Sequence, residues 1–349
     1  MMAEEKFIGI CASPLFMFSY SDPDSPSSQA NIRELLNLTE DRPELNINKN
    51  QRCSYYSSLG CLMTISEDYK VNLLNPLDHH RAQIKLPDIN MVKTSVEGIN
   101  SGLMRWYDDM ITKFVLSSNP FSSLECLVLV SYATATVTGW GFCRLGEDTW
   151  TYVAWTPILD LIYHNGQFYA MDCSGKILVC DVEDPKQPKT TILLSKKIPM
   201  VPMYGQTTSQ SLYMVESAGA LLVVLQSRPR IGSIETTRFK VFEVPFGRDQ
   251  AWEWSDLEVK NLENRSLFLG CESSSFSVDG SDYCSAGCKA NCIYFNTKWW
   301  EWLSIPNSNF APAVFIFNME DEKVEQLSVP NILQAPLPTS WIQPQPPSS

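Results

Sequence analysis

The sequence is poor in the groups on which most enzymes and most nucleic-acid binders depend. Only three histidines occur in 349 residues, so a histidine-based catalytic centre has few places to form. Lys and Arg number 27 against 39 Asp and Glu, for a formal net charge of −12. No basic cluster exceeds Lys196-Lys197 or Arg228-Pro-Arg230. Such a balance repels a phosphate backbone, and no nucleic-acid partner is expected. Long apolar runs are missing as well. The longest, such as Ala220 to Leu225, fall far short of the roughly 20 residues that span a bilayer, so no membrane association is expected. The start, Met1-Met2-Ala3-Glu4-Glu5-Lys6, is acidic and has the pattern of neither a secretory signal nor a transit peptide. The expectation is a cytoplasmic or nuclear chain, with an organelle left open. Helical periodicity is nearly absent: Gln29 to Leu38 could make a short helix, and Gly98 to Met110 is ambiguous. No Gly-x-Ser-x-Gly elbow, phosphate loop, dinucleotide fingerprint or His-Glu-x-x-His occurs.

What is present reads as globular and all-β. Hydrophobic residues make up 44% and charged residues 19%, the balance of a chain that buries a core. Twenty-two prolines and sixteen glycines are spread along the chain and imply frequent turns between short elements. Apolar runs of four to seven residues, rich in Val, Ile, Phe and Tyr, are bounded by Gly, Asp, Asn, Ser or Pro. Eleven cysteines are present. An odd number without a signal peptide does not imply a disulfide framework, and Cys126, Cys143 and Cys180 sit inside strand-like runs as small hydrophobes.

These strands recur in a unit. Around Tyr55 to Pro76, a strand reaches Gly60, a second covers Cys61 to Ile65, and a third covers Val71 to Asn75. Around Leu161 to Val182 the order repeats, with a turn at His164-Asn-Gly166, a strand Phe168 to Met171, and Ile177 to Asp181. Gly60 to Asn75 and Gly166 to Asp181 are both offsets of 15 residues. Weaker copies run from Ser211 through Leu225 to Val244, and from Phe276 through Phe295 to Asn318. A four-stranded unit cannot bury both its faces alone, and radial stacking around an axis solves this. The prediction is a kelch-like β-propeller. At about 40–50 residues per blade the chain holds about six, with five or seven open, and an open sandwich is the structural alternative. The predicted organisation is an N-terminal segment 1–49 completing the propeller, repeats over 50–329, and a Pro-rich extended tail over 330–349.

Several motifs also carry a resemblance. Val71-Asn-Leu-Leu-Asn-Pro76, Gly141-Phe-Cys-Arg-Leu-Gly146 with Trp150, and Asp160-Leu-Ile-Tyr-His-Asn-Gly-Gln-Phe-Tyr-Ala-Met-Asp172 occur in order. Arg265-Ser-Leu-Phe-Leu-Gly270, Ser274-Ser-Phe-Ser-Val278, Gly287 to Phe295 and Pro338-Thr-Ser-Trp341 follow. With these the chain resembles the KIB-type β-propeller domain of plant F-box proteins over roughly residues 50 to 345. The resemblance implies a non-catalytic protein-interaction module, the substrate-recognition half of a ubiquitin-ligase adaptor. Nothing before Tyr20 matches the helical F-box, so direct docking to the ligase is not expected of residues 1–349.

Candidate sites are few. Trp299, Trp300 and Trp302 crowd one stretch between two strands. Interface hot spots are enriched in Trp, which makes these three the candidate partner-binding residues, with a folded-back mini-core as the other reading. Cys284, Cys288 and Cys292 are evenly spaced with Cys271 upstream. Structural zinc prefers four thiolate or imidazole ligands, and no histidine lies nearby, so packing roles are expected and no metal or other cofactor is assigned. His79-His80 reads as a solvated loop, His164 as a structural residue hydrogen-bonding its turn, and Glu320-Asp-Glu322 as a solvated hairpin tip. The alternative function is a propeller hydrolase or metal-dependent enzyme whose carboxylates converge in the central channel. The sequence cannot place such groups.

Overall fold

The computed structural model describes residues 14–21, 31–37, 53–66, 68–76, 83–89, 111–133, 138–154, 157–184, 188–199, 208–229, 234–247, 252–281, 287–296, 314–327 and 340–344. Every regular element among them except two single-turn 3-10 segments is a strand. Four sheets have four strands each. The first blade holds β3 (Cys53–Ser58), β4 (Cys61–Ser66), β5 (Val71–Leu74) and β6 (Ile84–Leu86). The second holds β7 (Ile111–Leu116), β8 (Leu127–Ala133), β9 (Thr138–Arg144) and β10 (Thr151–Ala154). The third holds β11 (Ile158–His164), β12 (Gln167–Asp172), β13 (Ile177–Asp181) and β14 (Lys189–Leu194). The fourth holds β15 (Thr208–Ser217), β16 (Ala220–Pro229), β17 (Arg238–Glu243) and β18 (Glu258–Val259). In each, strands pair antiparallel in chain order.

A fifth blade departs from this plan. It comprises β19 (Arg265–Phe268), β20 (Phe276–Asp279), β21 (Cys292–Asn296), β22 (Val314–Asn318) and β23 (Val324–Leu327). Their order is β20-β19-β21-β22-β23, and β19 runs parallel to β21. The remaining sheet joins the two ends of the chain: β1 (Leu15–Ser21) pairs with β2 (Asn31–Asn37) on one side and β24 (Ser340–Ile342) on the other. The chain therefore forms an all-β propeller with five full blades and a three-stranded closing sheet, within the range the repeats allowed. One local expectation fails. The short helix over 29–38 is instead strand β2, because pairing along seven residues of β1 outweighs a weak local propensity.

The core explains the apolar runs. Six clusters of buried side chains lie between successive sheets, and the last two pack the closing sheet against the fifth and first blades. A strand inside a blade is thus buried on both faces, and alternate residues serve different clusters, whereas the outer strand β14 is largely exposed. Val128 and Val130 of β8 face the first blade, and Leu129 faces the third. Leu221, Val223 and Leu225 of β16 face the third blade, and Leu222 and Val224 face the fifth. Each such side chain contributes about 1.5–3 kcal/mol on burial. Tryptophans tie the blades at their rims: Trp150 Nε1 donates to Pro87 O at 2.9 Å and Trp254 Nε1 donates to Lys196 O at 3.3 Å. Trp341 of the closing strand is fully buried against Phe16 and Phe268, both ring pairs at 5.0 Å.

Candidate functional site

The innermost strands carry the polar groups that meet at the axis. In β7 the register shifts between Ile111 and Lys113, and in β11 between Ile158 and Asp160. A bulge re-aims the side chain that follows it. Lys113 and Asp160 are buried and form a salt bridge at 2.7 Å. Asp160 Oδ1 also accepts from Leu161 N–H at 2.8 Å, and Oδ2 accepts from Met214 N–H of β15 at 2.6 Å. Lys113 Nζ donates to Gly270 O at 3.0 Å. Burial pushes the Asp160 carboxyl above the usual carboxylate range, and the Lys113 ammonium and two backbone N–H groups pull it back. A buried charge pair persists when its remaining hydrogen-bonding capacity is met like this.

Around that pair, residues 270–275 of the fifth blade run against the first and second blades. Ser274 N–H donates to Ser57 O at 2.8 Å, Ser57 N–H donates to Ser273 Oγ at 2.8 Å, and Phe114 N–H donates to Glu272 O at 3.2 Å. The Ser274 hydroxyl reaches Ser58 Oγ and Phe114 O, both at 2.9 Å. Ser57 Oγ in turn donates to Trp341 O of the closing sheet. One connected network therefore touches all six sheets. Gly270 is required for this approach, since a Cβ there would lie 2.3 Å from Ser273 O. Lys113, Asp160 and the serines hold the axis together.

The family model for the KIB1-4 beta-propeller matches residues 27–321. The chain belongs to the KIB1-4 beta-propeller family. Its similarity to "F-box protein At2g26160" of Arabidopsis thaliana is 27% identity, covering 70% of this chain and 73% of that protein. "F-box protein SKIP23", also from Arabidopsis thaliana, is 25% identical over 73% of this chain and 67% of its own length. Among solved structures, TolB from Acinetobacter baumannii matches with a TM-score of 0.47 at 11% identity, covering 95% of this chain and 67% of that one.

The other candidates fall as follows. Trp299, Trp300 and Trp302 lie outside the described residues, as do His79, His80 and Cys284. Cys292 is buried in the cluster between the fifth blade and the closing sheet, and Cys288 packs against that cluster. Burial pushes the Cys292 thiol up to about 11, away from the thiolate that zinc needs. Among the described residues no three His, Cys, Asp or Glu side chains are placed to hold a metal ion. Burial pushes the thiols of Cys143 and Cys180 up as well. Glu320, Asp321 and Glu322 sit exposed in the turn between β22 and β23. Among the described residues no helix is long and apolar enough to cross a membrane.

His164 does not play the part expected of it. The turn at Asn165-Gly166 stands on its own positive φ values of 46° and 81°. His164 is only 3% exposed, and its Nε2 has no hydrogen-bond partner among the described residues. Its ring stacks on Phe246, with centroids 5.8 Å apart and planes 20° apart. Burial lowers its proton affinity, and the charge of Glu216 opposes that. Phe246, just beyond β17, is 41% exposed, and Leu124 in the β7–β8 connection is 89% exposed. Neither stood out in the sequence, because an isolated Phe beside Gly247 or Leu among serines has no periodic partner.

Proposed function

We propose that this chain is a non-catalytic protein-recognition propeller that selects a substrate protein for a ubiquitin ligase. The observation that carries the reading is the state of the axis. Propeller enzymes place reacting groups around a channel, whereas here Lys113, Asp160 and residues 270–275 bond to one another across it. Exposed apolar side chains lie away from it, Leu124 and Phe246 in connections between strands and Ile192 and Leu193 on the outer strand β14. F-box proteins among the relatives support the ligase context, and on this reading the work is done in cytoplasm or nucleus. On this reading the propeller supplies the recognition surface and not the ligase-docking contact. Trp299, Trp300 and Trp302 form part of that surface, since large aromatics are the commonest anchors of protein interfaces.

Proximity labelling in the native tissue, with intact chain against a Trp300→Ala, Trp302→Ala double variant, tests this. The expected result is a discrete set of labelled proteins, lost in a variant of unchanged melting temperature. If labelling falls only in step with folded protein, the tryptophans are core. If the intact chain enriches no protein, the recognition reading itself is wrong.

A further inference from the structure

The junction of the third and fourth blades holds an aromatic side chain that the fold leaves exposed but does not leave loose. Phe246 is held by two ring contacts and one backbone hydrogen bond. Its ring stacks on His164 at 5.8 Å, meets Tyr169 edge-on at 5.5 Å, and its N–H donates to Val244 O at 2.9 Å. A large apolar ring that is exposed and already oriented loses little conformational freedom when a partner covers it. Core packing does not account for the arrangement, because the outer part of the ring buries nothing.

On the neighbouring innermost strand stands Glu216. It is exposed, and its Oε1 accepts the N–H of Gly219 at 2.8 Å across the β15–β16 turn. That bond fixes the carboxylate, while its other oxygen accepts no hydrogen bond from the described residues. Glu216 pairs with Leu221, whose carbonyl accepts the Val244 N–H at 2.8 Å, so only β16 separates it from the segment leading to Phe246, and it shares the parity of Leu212 and Met214, which face the third blade. The stacked ring, its buried support and the carboxylate thus occupy one small region. We propose that this junction binds an arginine side chain presented by a basic segment of a protein partner, a proposal that rests on the recognition function above.

Three physical facts select that ligand. The chain carries a net charge of −12, so a basic segment is drawn towards it. A guanidinium stacks flat on an aromatic face while its N–H fork pairs with a carboxylate, which is what a ring and a fixed Glu together offer. A lysine ammonium is more strongly hydrated and cannot present a planar face, so it gains less. His164, desolvated beneath the ring, is held towards its neutral form and does not repel the incoming cation.

The test uses the full chain and a fluorescent peptide of alternating glycine and arginine, with its lysine and citrulline counterparts, read by anisotropy. The arginine peptide is expected to bind about threefold or more tighter than the lysine peptide, and the citrulline peptide weakest. Phe246→Leu keeps apolar bulk but removes the π face, and should abolish the preference for arginine over lysine. Glu216→Gln should weaken arginine binding about threefold. Glu263→Gln removes an exposed charge elsewhere and should change little. Melting temperatures of all three variants show that each is folded. Equal binding of arginine and lysine peptides, or equal losses from Glu216→Gln and Glu263→Gln, would mean net charge alone and overturn the proposal. So would absence of binding. Partner labelling that survives Phe246→Leu would sink this site and leave the recognition function standing, whereas no labelling by the intact chain would sink that function.

Discussion

The third and fifth blades are built from similar-looking strands and end up with different jobs. The third runs β11-β12-β13-β14 in chain order, with a two-residue turn at Asn165-Gly166 and an Asp172-to-Gly175 turn after it. In the fifth, β20 folds back as the innermost strand, and β19 comes to lie parallel to β21. The detour sends residues 270–275 to the axis, where they bond to Ser57, Ser58, Lys113 and Phe114. A regular blade needs only its neighbours. The irregular one holds the ring together, which makes it the place where a small change has the widest effect.

Lys113→Ala should have the largest effect. It leaves Asp160 buried without its cation, and breaking such a pair costs about 3–5 kcal/mol. A Lys113→Met, Asp160→Leu double variant should recover most of that, as denaturant titration would show. If the single variant unfolds at the wild-type midpoint, the axis pair is not what ties the second and third blades.

Two glycine substitutions sharpen the contrast between the blades. In Gly270→Ala the new Cβ would meet the Ser273 carbonyl at 2.3 Å, so backbone at the axis must move, at a cost of about 2–3 kcal/mol. At Gly166 a Cβ meets nothing within 4 Å, but φ is +81°. Gly166→Ala should therefore cost about 1–2 kcal/mol, for backbone strain alone. Equal losses at the two sites would show that residues 270–275 are not under close packing.

The smallest effect has the opposite sign. Ala218 holds a φ of 53° in the β15–β16 turn, a conformation that Asn tolerates better. Ala218→Asn should raise stability by up to about 1 kcal/mol, seen as a higher melting temperature. A lower one would mean that the Ala218 methyl makes a contact the turn needs.

The regular blades were legible because their signals are local. The shared offset from Gly60 to Asn75 and from Gly166 to Asp181 follows from hairpins of fixed length. The fourth copy, from Phe276 to Asn318, was legible as strands but not as a topology. Nothing in its apolar pattern says that β19 inserts between β20 and β21. The motifs Arg265 to Gly270 and Ser274 to Val278 flank the axial crossing, and they carry a family resemblance rather than a physical signal of it. Lys113, between Thr112 and Phe114, reads in the sequence as an outward-facing residue. Only the bulge before it turns it inward. Asp160 stands within one of the motifs, but its partner lies 47 positions away and no periodicity links the two. Phe246 and Glu216 both belong to the fourth blade, 30 positions apart, and are brought to one end of it by the pairing of β15, β16 and β17.

Hydrogen exchange of the intact chain, read peptide by peptide, tests the axial network most directly. The account predicts that the amides of Gly270 and Ser274, which donate to Ser275 Oγ and Ser57 O, exchange as slowly as those of β7 and β11. Exchange of residues 270–275 at the rate of an open loop, with β7 and β11 still protected, would contradict it.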